Sequence, residues 1–245
     1  MPDLLQLRYH LAFIRRDREA LQRLGAEGRA KPEVSTRIWH FDALIAAREG
    51  RLDDARAAEQ RAVAIAQGDG KGGIAAIYLG SRAIFEALAG MAGPARTAAH
   101  AALQLSDGRD ATYAAAFALA RIGDSERAAQ LAASLAKRFP EDTSVKYSYL
   151  PTLHAMAALH ANDPAKALAI LEEARPYELA VPALAFLHIA GTFYPVFVRG
   201  EAYLALGRKA DAAAEFRRIL SHRGLLLADP IGPMAERALA TLGGP

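Results

Sequence analysis

The segment from Val196 to Leu220, VFVRGEAYLALGRKADAAAEFRRIL, constrains the fold more than any other part of the chain. It places Gly200, Tyr203, Gly207, Ala212 and Phe216 at offsets that suit one helix, a tight turn and a second, antiparallel helix. Gly200 removes the side chain where a second helix would cross, and Tyr203 fills the same face one turn later. Gly207 can end the first helix in a left-handed conformation. Ala212 and Phe216 then share the stripe that faces back. The small residue that opens the second helix recurs at Ala20, Ala55, Ala95, Ala128, Ala167 and Ala212, with intervals of 35, 40, 33, 39 and 45 residues. Such recurrence implies helix pairs stacked into an array, because one pair cannot bury its own apolar face.

Individual pairs differ in clarity. The fourth carries Ala116, Leu119, Gly123, Ala128, Ala132 and Pro140, and the second carries Trp39, Ala43, Gly50 and Ala55. The first has Leu7, Leu11, Ala20 and Pro32 but no turn glycine, as befits a terminal repeat. Gly90, Gly93 and Pro94 leave the register of the third open by about one residue. The expected architecture is all-α: a right-handed α-solenoid of about six helix pairs, spanning 1–245 as one domain. Turns are expected near Arg16, Gly50, Gly90, Gly123, Asn162 and Gly207, with essentially no strand. A helix from Gly232 to Leu242, carrying Met234, Leu239 and Leu242, should cap the last pair.

These offsets and a period near 34 residues resemble the tetratricopeptide (TPR) repeat. The last part of the chain, 108–245, matches best. Its segments Arg138–Thr143, Pro176–Leu179, Tyr194–Leu204 and Ile219–Gly224 resemble the C-terminal TPR region of bacterial eukaryotic-like serine/threonine kinases, and similar regions follow winged-helix domains in some bacterial regulators. That resemblance implies a sensory or docking appendage whose catalytic or DNA-binding domain lies N-terminal to it. The chain carries no Gly-rich kinase loop, HRD or DFG. It is therefore expected to be either a fragment of such a protein or a stand-alone descendant of the array.

Composition agrees with a solenoid, which grows by adding repeats without the size limit of a single core. The 245 residues are 52% hydrophobic, and a formal net charge of +3 is interspersed along the chain without a basic block. Nucleic acid is therefore not an expected partner. With no cysteine, disulfides, thiolate metal sites and cysteine nucleophiles are excluded. The N-terminus lacks the order of a signal peptide, and no long uncharged run suggests membrane insertion. A cytoplasmic protein is expected, or a periplasmic one if the chain belongs to a membrane-anchored kinase or regulator.

Candidate chemistry is weak. Gly68–Gly73, GDGKGG, lacks the Ser or Thr after Lys71 that a phosphate loop needs and reads as an inter-repeat linker. His154 and His160, six apart, do not share a helical face for a metal. Ser221, His222, Arg223 and Asp229 read as a helix-end and turn cluster rather than a hydrolase triad. Asp53 and Asp54 suit the start of a helix, where the macrodipole favours carboxylates. No catalytic residue, metal or cofactor is expected.

The first helices of the pairs offer the better functional clue, because a TPR superhelix presents them on its concave side. In phase with the markers, that stripe includes His40 and Arg48; Tyr113, Phe117 and Arg121; Met156 and His160; and Phe197. Apolar rings beside cationic heads suit a peptide with hydrophobic anchors and an acidic group. The alternative is that these rings seal neighbouring repeats. The span Pro176–Pro195 is read as an extra buried helical turn, with a loop folded into the groove as its alternative. The expected function is a non-enzymatic protein-interaction or sensory scaffold that binds a partner protein or peptide in its groove. Self-association into a homo-oligomer, marked by an apolar face on the terminal helix, is the runner-up, ahead of an enzyme with an unrecognised site.

Overall fold

A computed structural model describes residues 2–180 and 193–243, and among these it contains helices and no strand. Six antiparallel pairs run in order: α1 (Pro2–Arg15) with α2 (Arg18–Arg29), α3 (Pro32–Arg48) with α4 (Leu52–Gly68), α5 (Gly72–Leu88) with α6 (Ala92–Leu105), α7 (Arg109–Arg121) with α8 (Ser125–Arg138), α9 (Leu150–His160) with α10 (Pro164–Leu171), and α11 (Tyr194–Ala205) with α12 (Lys209–Ser221). A short α13 (Arg223–Leu226) and a terminal α14 (Ile231–Leu242) follow. A π turn at Val145–Tyr149 leads into α9 just before Pro151, and a 3-10 turn at Glu172–Tyr177 follows α10. Of the span Pro176–Pro195, residues 181–192 lie outside the described residues, so the extra turn expected there is not placed. No described helix is long and apolar enough to cross a membrane.

Every expected turn site is the residue that reverses the chain. Arg16, Gly50, Gly90, Gly123, Asn162 and Gly207 all have positive φ, between 58° and 87°. After each, the next amide donates to a carbonyl five residues back: Arg51 to Ala46, Met91 to Glu86, Asp124 to Leu119 and Arg208 to Tyr203, each at 2.9 Å, close the pattern that ends a helix without orphaned carbonyls. Arg16 and Asn162 take this conformation without being glycine, at a cost of about 1–2 kcal/mol. Asp17 and Asp163 follow them and accept from the amides of Ala20 and Lys166 at 3.0 Å, capping the next helix and offsetting part of that cost.

Packing explains the repeat markers. Ala55, Ala95, Ala167 and Ala212 are fully buried, Ala128 is nearly so, and Ala20 is half-buried at the end of the array. First helices of successive pairs lie side by side, and each also packs on the second helix of the pair before it. Small residues set how near they come. A Cβ on Gly80 would stand 2.7 Å from that of Ala114, between α5 and α7, and one on Gly200 would stand 2.6 Å from the buried Phe216 ring, between α11 and α12. The sixth pair also buries a guanidinium. Arg199 meets Glu215 at 3.0 and 3.2 Å and Glu178 at 2.5 Å, while Glu178 also accepts from Arg218 at 2.6 Å. Removing one partner of such a buried set costs about 3–5 kcal/mol.

Gly200→Ala should therefore destabilise the protein by roughly 1–3 kcal/mol through overpacking against Phe216. Gly93, within α6, has open space around its missing side chain. Gly93→Ala should leave stability unchanged or raise it, and thermal or urea unfolding of the two variants checks the contrast.

Candidate functional site on the inner face

The first helices of successive pairs pack side by side, and the face on which the candidate residues lie is not an open groove. Five candidate residues are buried: Tyr113, Phe117, Met156, Phe197 and His40 are each at most 4% exposed. Their rings seal the array, and the expectation that they present themselves to a partner is corrected. Alanine-rich first helices approach so closely that a stripe meant to face a groove faces the neighbouring helix instead. Tyr113 stacks on Tyr149 with centroids 3.8 Å apart, Phe117 meets Tyr194 edge-on at 4.7 Å, and Phe197 lies 5.6 Å from Phe216. His40 stacks on Tyr78 at 4.5 Å, and its Nδ1 lies 3.0 Å from the buried Glu59 carboxylate. Burial pushes the Glu59 pKa up, against the pull of His40.

The other three candidates keep some exposure, and each has an intramolecular partner. Arg121 pairs with Glu201 at 2.6 Å and sits over the Phe197 ring at 5.8 Å. Burial raises the Glu201 pKa while Arg121 lowers it. His160 is exposed, with Nδ1 3.1 Å from the Ser125 hydroxyl. Arg48 Nη2 donates to Glu236 of α14 at 2.9 Å, joining residues 188 apart in sequence.

That contact shows where the last described helix packs. The stretch from Leu226 to Gly232, which links α13 to α14, is buried throughout. Leu227 and Ala228 belong to the apolar cluster of the first pairs, with Tyr9, Phe41 and Leu44. Leu226, Ile231 and Ala235 belong to the cluster of the later pairs, with Tyr113, Phe117 and Phe197. Asp229 accepts from the Tyr194 hydroxyl at 3.1 Å and from the Ile231 amide at 2.9 Å. Burial raises the Tyr113 pKa, and the Asp229 carboxylate adds to that shift. Leu227 is held at φ 46° and ψ −127°, a strained backbone for a side chain with Cβ. Its seat among the first pairs is what over-determines that conformation. The helix α14 covers α12, as expected of a cap, yet it also closes the array back onto α3.

Ser221 and His222 end α12. The serine hydroxyl donates to the Arg218 carbonyl at 2.9 Å and His222 Nδ1 lies 2.8 Å from the same carbonyl. Asp229, bound to Tyr194, is engaged elsewhere. Among the described residues no group of three His, Cys, Asp or Glu side chains could hold a metal ion. The phosphate-loop lookalike is the turn between α4 and α5, with Gly70 at φ 71°.

No protein-family model matches the sequence, and no curated protein matches it. A solved structure described as a tetratricopeptide repeat protein from Parabacteroides merdae is similar at 16% identity over 99% of each chain, with a TM-score of 0.42. Nothing about function is carried over from so distant a likeness, and the helical-repeat architecture rests on the packing above.

Gly232 lies under the Arg48 side chain: a Cβ there would lie 2.2 Å from Arg48 Nη1, the mobile end of the arginine, and 3.0 Å from Leu226 Cδ2. Leu227→Asp should put an unpaired carboxylate into the apolar seat of the connector and loosen it, while Gly224→Ala, in open space, should not. Hydrogen exchange at Leu226–Gly232 should accelerate in the first variant alone, with the amides of α7 and α11 unchanged.

Proposed function

We propose that this protein is a non-enzymatic scaffold whose inner face binds an extended segment of a partner protein, in exchange for its own connector. One observation carries the reading: residues of the first helices α1, α3 and α11 already hold such a segment in cis. Its chemistry, Leu226 and Leu227 before Asp229 and Ile231 after it, is apolar anchors around one carboxylate. The tethered connector competes at an effective concentration in the millimolar range, so a partner binds the closed form with its affinity reduced by the fraction that is open. Resemblance to the TPR arrays of bacterial kinases and regulators fits a docking or sensory role, and the chain would then act as one domain in whichever compartment its partner occupies.

A labelled peptide spanning Leu225–Met234 tests this. It should bind the Leu227→Asp protein, whose own connector has lost its apolar seat, at least about ten-fold more tightly than the parent, and replacing the peptide's aspartate with alanine should weaken binding. Equal affinity for parent and variant, or no binding to either, would contradict the reading.

Self-association is favoured by a second, separate observation. On α1, Leu4, Leu7 and Leu11 are 55%, 53% and 38% exposed and share one face at i, i+3 and i+7. No described element covers that stripe. Light scattering after size exclusion should show mass rising with concentration for the parent and a monomer for Leu7→Glu; identical masses would remove this reading.

A further inference from the structure

Where the two ends of the array meet, they border an open cleft of about 380 Å³, within the size range of small-molecule sites. Its walls come from α1, α2 and α3 on one side and from α12, α13 and α14 on the other. Phe13, Ile14, Leu21, Leu220, Leu226 and Leu227 make it apolar. Six charged residues also line it: Arg16, Arg18, Arg48, Glu49, Arg223 and Glu236. Glu49 is engaged by Arg51 at 2.6 Å and Glu236 by Arg48 at 2.9 Å. Arg16, Arg18 and Arg223 are exposed, and their side chains form no ion pair among the described residues. Arg48 Nη1 is buried with no acceptor among the described residues. Both carboxylates of the cleft are thus already paired, Glu49 with Arg51 outside it and Glu236 with Arg48 within it, and Arg16, Arg18 and Arg223 leave an excess of positive charge over an apolar floor.

The geometry points to this cleft as a binding site for a small amphipathic anion, an aliphatic carboxylate whose tail lies on the leucine floor and whose headgroup is held by Arg18 and Arg223. The tail is required because the lining is largely hydrocarbon; the anion is required because guanidinium groups without partners recognise carboxylates by paired hydrogen bonds. A small molecule is the fitting occupant because a volume of about 380 Å³ is that of a ligand site rather than of an extended protein segment. Because Arg18 and Arg223 belong to opposite ends, an occupant would bridge them and hold the connector in its seat. The inference needs only the closed array and is independent of whether a partner protein uses the inner face.

Titration of the full chain with sodium decanoate below its micelle concentration, followed by calorimetry and by leucine methyl NMR, tests it. Acetate supplies the charge without a tail, and octan-1-ol the tail without a charge. Decanoate should bind at least ten-fold more tightly than either, with shifts at the methyl groups of Leu21, Leu220, Leu226 and Leu227. The double variant Arg18→Glu with Arg223→Glu alters two exposed side chains, so it should keep the parent's thermal midpoint, lose decanoate affinity at least ten-fold and leave octan-1-ol unaffected. Decanoate binding no tighter than acetate, equal affinity in the charge-reversed variant, or shifts confined to Leu4, Leu7 and Leu11 would each overturn the proposal.

Discussion

Burial of the connector Leu226–Gly232 against both halves of the array is the interaction on which the rest of the structure depends. Without it the apolar clusters of the first and later pairs would be joined only through their stacked neighbours, and a solenoid held that way opens and bends at any weak interface. Leu227 and Ala228 add apolar surface to the cluster of the first pairs, and Ile231 and Ala235 add it to the cluster of the later ones. Asp229 would be costly to bury alone; the Tyr194 hydroxyl and the Ile231 amide satisfy it. The strain at Leu227 is a second cost, and it persists because the side chain is already committed to the far end of the array.

Closure also explains how an alanine-rich wall can be stable. Alanine gives high helix propensity and little apolar area per residue, so close approach has to supply the packing. Gly80 against Ala114 and Gly200 against Phe216 show how near the helices come. A wall this tight has little room between its helices for foreign side chains. What it offers is its inner surface, and the connector already lies there.

Much of the fold was legible in the sequence for identifiable reasons. The turn sites could be read because left-handed helix ends favour glycine or asparagine, and Arg16 because the small-residue marker follows it at the usual distance. The alanine markers could be read because crossing helices leave room for little more than a methyl group. The groove residues were not legible in the same way. A stripe at helical spacing fixes which face a residue is on, but not whether that face meets solvent or a neighbour, and Tyr113, Phe117, Met156, Phe197 and His40 all meet neighbours. Arg199, inside the clearest repeat, gave no sign of burial, because its partners Glu215 and Glu178 lie on other elements. The connector had a faint signal: the apolar run Leu225–Ala228 ends at Asp229 and Pro230, too short for a helix and too apolar for a surface loop. Which surface it covers is a long-range fact that local pattern cannot supply.

The most direct test of the closed array is a distance measured in solution across its seam. The chain contains no cysteine, so a pair of spin labels can be placed by substitution at Glu19 on α2 and Ala240 on α14, both away from the core. Pulsed electron spin resonance should give one narrow distribution at the separation set by the docked α14, broadening and lengthening in the presence of Leu227→Asp, which unseats the connector. A broad, long distribution in the parent, unchanged by Leu227→Asp, would show that the ends do not meet and would contradict the account.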